Sequence, residues 1–192
     1  MITMKMLSSE QIALIGEFYT VAQLYQRGFI ASPTLGKTKH VDILVFNPRT
    51  GNRVLVEVKT TFESKARKKS KLFGENYEWV MDKKHEKIVN STLFYCFVLL
   101  KGEKQLPRFF IVPSKDVAEY VKQEHEIWLN YRKEKIRKEM EKMKTNRLTY
   151  RGKERTIDEI LKDVEARNPM RIFRIPINDP KKYEDNWKAL DI

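Results

Sequence analysis

The chain has 192 residues, of which 38 are lysine or arginine and 26 are acidic, for a formal net charge of +12. That length suits one domain with a sizeable core, and the single cysteine, Cys96, excludes a disulfide framework and a cysteine zinc site. No apolar run approaches the ~18 residues of a membrane span, and the N-terminal MITMKMLSSEQ lacks a secretory apolar centre, so the expectation is a soluble protein of the reducing cytoplasm.

Ser8 or Ser9 caps a predicted helix running to about Arg27 and ended by Gly28. Its apolar stripe is read as Leu14, Phe18, Val21 and Tyr25, with Glu17 at the border. FIASPT is a short strand or extended segment broken at Pro33. HVDILVFN and RVLVEVKTT form two strands joined by the turn NPRTGN, a β-hairpin. ESKARKKSKLFGEN reads as a polar, mobile loop and DKKHEKIVN as a helix. STLFYCFVLLK is a central buried strand in which Cys96 is a small core residue, and RFFIVP is a strand ending at Pro113.

From Ser114 a long helix is predicted, its second half laced with charges of both signs at i, i+4 spacing. Thr156 and Glu159 have capping-box spacing ahead of a short helix stopped by Asn168-Pro169. RIFRIPI is a last strand and KKYEDNWKAL a terminal helix. The fold class is α/β: a mixed sheet of about five strands flanked by helices, with residues 115–192 as a largely helical extension of one domain spanning 1–192. Trp79, Trp128 and Trp187 are read as packing residues, and His40, His85 and His125 as surface or loop residues without spacing for a shared metal. No phosphate-binding loop of the form G-x-x-x-x-G-K-[ST] is present, which argues against ATP-driven translocation.

The positive charge is uneven. Residues 61–155 carry 24 basic against 14 acidic residues. A one-sided basic region is the footprint of a polyanion, and with no apolar face for a membrane surface, nucleic acid is the expected partner. Solubility alone is the competing use of such lysines. The group Lys65, Arg67, Lys68, Lys69 and Lys71, just beyond the second hairpin strand, is placed to hold phosphates.

One strand is chemically odd. In RVLVEVKTT, Val54, Val56 and Val58 face one way, while Leu55, Glu57 and Lys59 face the other. A carboxylate and an ammonium on one strand are either a solvated ion pair or a site. Asp42 in the preceding strand can converge on Glu57 across the hairpin, and two close carboxylates repel unless a cation joins them. A hard divalent ion such as Mg²⁺ fits that need. Gly16 would let the first helix approach the sheet beside Glu17. Lys59 supplies positive charge where a phosphodiester transition state gathers negative charge.

The set of GE in IGEFYTVAQLYQRGF, D in HVDILVF and ExK in VLVEVKTT resembles the PD-(D/E)XK nuclease superfamily, which includes restriction endonucleases and Holliday-junction resolvases. The likeness covers roughly Ser8 to Ser114, the nuclease core in this reading. It implies a restriction endonuclease-like three-layer core and Mg²⁺-dependent cleavage of DNA to 5′-phosphate and 3′-hydroxyl ends, with Mn²⁺ able to substitute. It further implies that Asp42, Glu57 and the carbonyl of Val58 bind the metal, that Glu17 completes its site, and that Lys59 orients or activates water. Val41 stands where the superfamily name has proline. A homodimer is a further candidate assembly. The rival readings are a non-catalytic nucleic-acid-binding module of the same fold, and an interaction protein docking through the helix from about Lys133 to Lys144.

Overall fold

A computed structural model describes residues 7–34, 40–167 and 170–191. It begins with α1, Ser9–Gln26, whose N-cap Ser8 exchanges capping-box hydrogen bonds with Gln11. Strands β1 (Ile30–Pro33), β2 (Ile43–Phe46) and β3 (Arg53–Phe62) form an antiparallel meander. Next come β6 (Leu93–Leu100), parallel to β3, and β7 (Arg108–Pro113), antiparallel to β6. The result is a five-stranded mixed sheet in the order β1-β2-β3-β6-β7. β6, LFYCFVLL, is buried at every position, as a strand covered on both faces must be.

One face is covered by α1. Val54, Val56 and Val58 pack there with Leu24, Ile43, Cys96 and Trp187. The helix, however, presents a different stripe from the one its large apolar residues suggest. Gly16, Thr20 and Leu24 are its buried positions, whereas Leu14, Phe18 and Tyr25 are exposed, Phe18 by 63%. The reason is close approach. A Cβ at Gly16 would lie 1.8 Å from Thr60 Oγ1, so a residue without a side chain must stand at that contact, and Leu14, Phe18 and Tyr25 lie off it.

The other face is covered by the first half of the long helix α3, Ser114–Lys142, and by a second sheet. This sheet has three antiparallel strands. The segment expected as a mobile loop is instead a short helix α2 (Glu63–Ala66), then β4 (Arg67–Ser70), a turn, and β5 (Gly74–Asp82). Burial explains β5: Tyr77, Trp79 and Met81 alternate inward at period two, a pattern masked in sequence by the flanking charges. The last strand, β10 (Met170–Pro176), runs antiparallel to β5. Trp79, Phe97 and Phe173 form the aromatic centre between the sheets.

Three further expectations change. DKKHEKIVN forms only a 3-10 turn, Lys83–Lys87, and the terminal helix shrinks to a 3-10 turn, Trp187–Leu190. A hairpin of β8 (Leu148–Tyr150) and β9 (Lys153–Arg155) interrupts the extension. It and α4 (Ile157–Arg167) close a small satellite core over Ile136 and Met140 of α3. The Thr156–Glu159 capping box forms as read; the expected stop at Asn168-Pro169 lies outside the described residues. No helix among them is long and apolar enough to cross a membrane.

Candidate active site

The hairpin register pairs Ile43 with Val56, so Asp42, one residue before β2, stands opposite Glu57. Backbone bonds extend the ladder through it: Asp42 N–H donates to the Val56 carbonyl (2.9 Å) and Thr34 N–H donates to the Asp42 carbonyl (2.8 Å). The Asp42 carboxylate is fixed in turn, its Oδ2 accepting the Val58 N–H at 2.7 Å. Backbone geometry on both strands thus aims this carboxylate at the Glu-x-Lys segment.

Glu57 is 4% exposed. Its Oε1 lies 2.5 Å from Lys59 Nζ, and its Oε2 is buried without a hydrogen-bond partner. The pair is therefore not cross-strand and its carboxylate is buried, unlike an ordinary sheet-surface ion pair. A buried carboxylate oxygen without a partner is expensive and calls for an explanation by function or by an ion.

Glu17 reaches the same place from the opposite face. Gly16 seats α1 directly on Thr60, which carries Glu17, the next residue, into electrostatic reach of Asp42 and Lys59. Burial first, and then the nearby Asp42 carboxylate, hold the Glu17 carboxyl above its usual range, while Lys59 opposes them. Asp42 is raised too, mainly by burial, against the Val58 hydrogen bond and the Lys59 charge. Glu17, Asp42, Glu57 and Lys59 are thus electrostatic neighbours: three carboxylates around one ammonium. The acids are short of counter-charge.

Three residues that the sequence reading left outside the site belong to this cluster. His85, expected on a loop or surface, is 3% exposed, and its Nδ1 lies 2.8 Å from the Tyr95 hydroxyl. Burial pushes its pKa down to about 4, which keeps the imidazole neutral near pH 7. Tyr95 sits beside Glu57 in the parallel β3–β6 register and is held protonated by burial and that carboxylate. His40 Nδ1 lies 3.6 Å from Glu57 Oε2. His40, Glu57 and His85 each offer a ligand atom within 4.8 Å of the others, which corrects the view that these histidines share no metal geometry. The available signal was the closeness of His40 to Asp42 in sequence, just ahead of β2. His85 and Tyr95 had none, because parallel pairing joins segments far apart in sequence.

The basic group lies elsewhere. Lys65 is on α2, Arg67, Lys68 and Lys69 are on β4, and Lys71 is in the following turn. Arg67 pairs in register with Tyr77 and Lys69 with Glu75, whereas His85 follows Asp82 at the far end of β5. At about 3.3 Å per residue, Lys69 stands roughly 23 Å from that end. Arg67 and Lys69 also neighbour the Glu75 carboxylate, at 3.8 and 3.4 Å.

No family model matches the chain and no curated protein matches it. Among solved structures it is similar to a bacterial homing endonuclease, at 18% identity and a TM-score of 0.41, over 60% of this chain and 72% of that one. That likeness is too distant to assign a function.

Proposed function

We propose that this chain is a divalent-metal-dependent nuclease that hydrolyses phosphodiester bonds in DNA, leaving 5′-phosphate and 3′-hydroxyl ends. The observation that carries the proposal is the gathering of Glu17, Asp42, Glu57 and Lys59, the last two in direct contact, around the start of β2 and the middle of β3. Folding gives no reason to gather three acids on one short edge, since each destabilises its neighbours unless a cation is supplied.

Asp42, Glu57 and the Val58 carbonyl are an all-oxygen set suited to Mg²⁺, with Mn²⁺ as a substitute and Glu17 as a further ligand directly or through water. The ion, when bound, lowers the pKa of water and polarises the phosphate. The rest is the work of the chain. Lys59 Nζ, held against Glu57 Oε1, is placed to offset negative charge developing on the phosphate oxygens. Asp42, anchored by the Val58 N–H, keeps one oxygen committed to the backbone and leaves the other for the ion. The basic hairpin and the charged half of α3 would hold the backbone of the nucleic acid on either side.

Incubating the purified protein with plasmid, single-stranded and branched DNA, in Mg²⁺ or in EDTA, tests the proposal. Metal-dependent nicking that disappears in Asp42→Asn and Glu57→Gln is expected. Tight DNA binding without cleavage of any substrate in Mg²⁺ or Mn²⁺ would instead make the chain a binding module of nuclease-like architecture.

A further inference from the structure

We infer that His40, Glu57 and His85 form a binding site for a nitrogen-preferring divalent transition ion of the Zn²⁺ class, separate from the oxygen-ligand position assigned to Mg²⁺. The two positions share only Glu57, and this one stands whether or not the chain cuts DNA.

The geometry carries the inference. One ligand atom from each residue lies within 4.8 Å of the other two. His40 Nδ1 and Glu57 Oε2 are 3.6 Å apart. Tetrahedral ligands at the usual Zn–N and Zn–O lengths stand roughly 3.3 Å apart, so closure takes side-chain shifts of about an ångström or less. Glu57 Oε2 is the buried oxygen with no hydrogen-bond partner, and it is the one that faces His40. It is not already engaged by Lys59, which takes Oε1.

The hydrogen bonds around His85 set its tautomer. The Tyr95 hydroxyl has one proton and two polar neighbours, His85 Nδ1 at 2.8 Å and the Glu57 carboxylate beside it in the β3–β6 register. A carboxylate can only accept, so a hydroxyl proton turned toward Glu57 leaves the oxygen to accept from His85 Nδ1–H. That leaves Nε2 as the ring nitrogen with a free lone pair. A ligating histidine whose other nitrogen donates to an oriented oxygen is the arrangement found in metalloprotein sites, where the outer bond fixes the ring.

His40 contributes through its backbone. It has φ of 61°, a left-handed conformation uncommon for a side-chain-bearing residue but one in which histidine is enriched. The turn sets its ring against His85, centroids 5.8 Å apart at 75°. Two imidazoles and one carboxylate favour Zn²⁺, Co²⁺ or Ni²⁺ over Mg²⁺ or Ca²⁺, which take oxygen ligands. Three protein ligands leave a fourth position open to water or a phosphate oxygen.

Co²⁺ is the probe, since its visible absorption reports its ligands without any need for activity. Titrating the metal-free protein should give one saturable Co²⁺ equivalent whose band survives a large excess of Mg²⁺ and is displaced by Zn²⁺. His40→Ala and His85→Ala should each weaken Co²⁺ binding at least ~10-fold, and Tyr95→Phe, which removes no ligand, should weaken it as well. Asp42→Asn should retain the band, so loss of cleavage there with Co²⁺ binding intact separates this site from the nuclease proposal. Should His85→Ala not fold, His40→Ala at its half-buried turn decides alone. Co²⁺ binding unchanged by His40→Ala, or displaced by Mg²⁺, overturns the inference.

Discussion

Gly16 of α1 and Thr60 of β3 are in such close contact that a methyl group at residue 16 would fall 1.8 Å from the threonine hydroxyl oxygen and 2.8 Å from its Cβ. The nearest atoms belong to a β-branched side chain in mid-strand, which has little freedom to move aside. Gly16→Ala should therefore lower stability by ~1–3 kcal/mol through overpacking, despite alanine's higher helix propensity. Urea denaturation gives the value directly. A companion Thr60→Gly should recover part of the loss, and an unchanged midpoint for Gly16→Ala alone would show that α1 does not depend on this contact. Because Glu17 is the next residue, a displaced helix should also slow any metal-dependent cleavage.

Stability should fall as the solution becomes acidic, partly through His125. It is buried, with Nε2 lacking a hydrogen-bond partner, and it stacks on Trp128 with ring centroids 5.6 Å apart. Burial, helped by the Arg171 charge, holds its pKa below the ordinary value, against the weaker pull of Glu165 and Glu86. A histidine depressed in the folded state binds its proton more readily when unfolded. Its contribution is thus complete above about pH 6.5 and is lost as pH falls below that value. Thermal unfolding at pH 7.5 and pH 5.0 should show a smaller difference in His125→Phe than in the parent. Equal differences would remove His125 from the account.

The β4 hairpin offers exposed cations on an edge strand, well away from Glu57. If it holds phosphates, log affinity for DNA should fall linearly with log salt, with a slope of about 0.9 per phosphate contact. Replacing Lys65, Arg67, Lys68, Lys69 and Lys71 with serine should reduce the slope by several contacts while leaving the metal ligands untouched. Arg67 and Lys69 already face Glu75, so Lys65, Lys68 and Lys71 should account for most of the change. An unaltered slope would leave the hairpin as a solubilising surface.

Elements whose signals are local were legible. The Ser8 and Thr156 caps, the β2–β3 hairpin and the unbroken apolar run of β6 each follow from a few neighbouring residues. So was the convergence of Asp42 on Glu57, since antiparallel pairing across a short turn fixes which residues oppose. Tertiary effects were not legible. The outward turn of Leu14 and Phe18 reflects how close α1 sits to β3, and the charges around β5 hid its inward Tyr77, Trp79 and Met81. His85 reaches Glu57 because the 3-10 turn after β5 packs it against Tyr95 of β6, which is the register partner of Glu57.

Lys59 separates a catalyst from a folded ion pair. Its ammonium is 2.5 Å from Glu57 Oε1, its side chain 29% exposed and that of Glu57 6%. Lys59→Ala leaves Asp42, Glu57 and the basic hairpin in place, so DNA binding should stay near the parent level. Some stability should be lost, because an unpaired buried carboxylate remains, and a saturating divalent ion should restore part of it by supplying the missing charge. Cleavage should fall about 10²–10³-fold, since the lysine acts where charge develops in the transition state rather than in the bound substrate. Single-turnover rates at saturating metal, with affinity measured separately, distinguish the two outcomes. If Lys59→Ala loses stability yet cuts at the parent rate on a substrate the parent demonstrably cuts, then Glu57 and Lys59 are a structural pair, and the chemistry rests on the carboxylates and their ion alone.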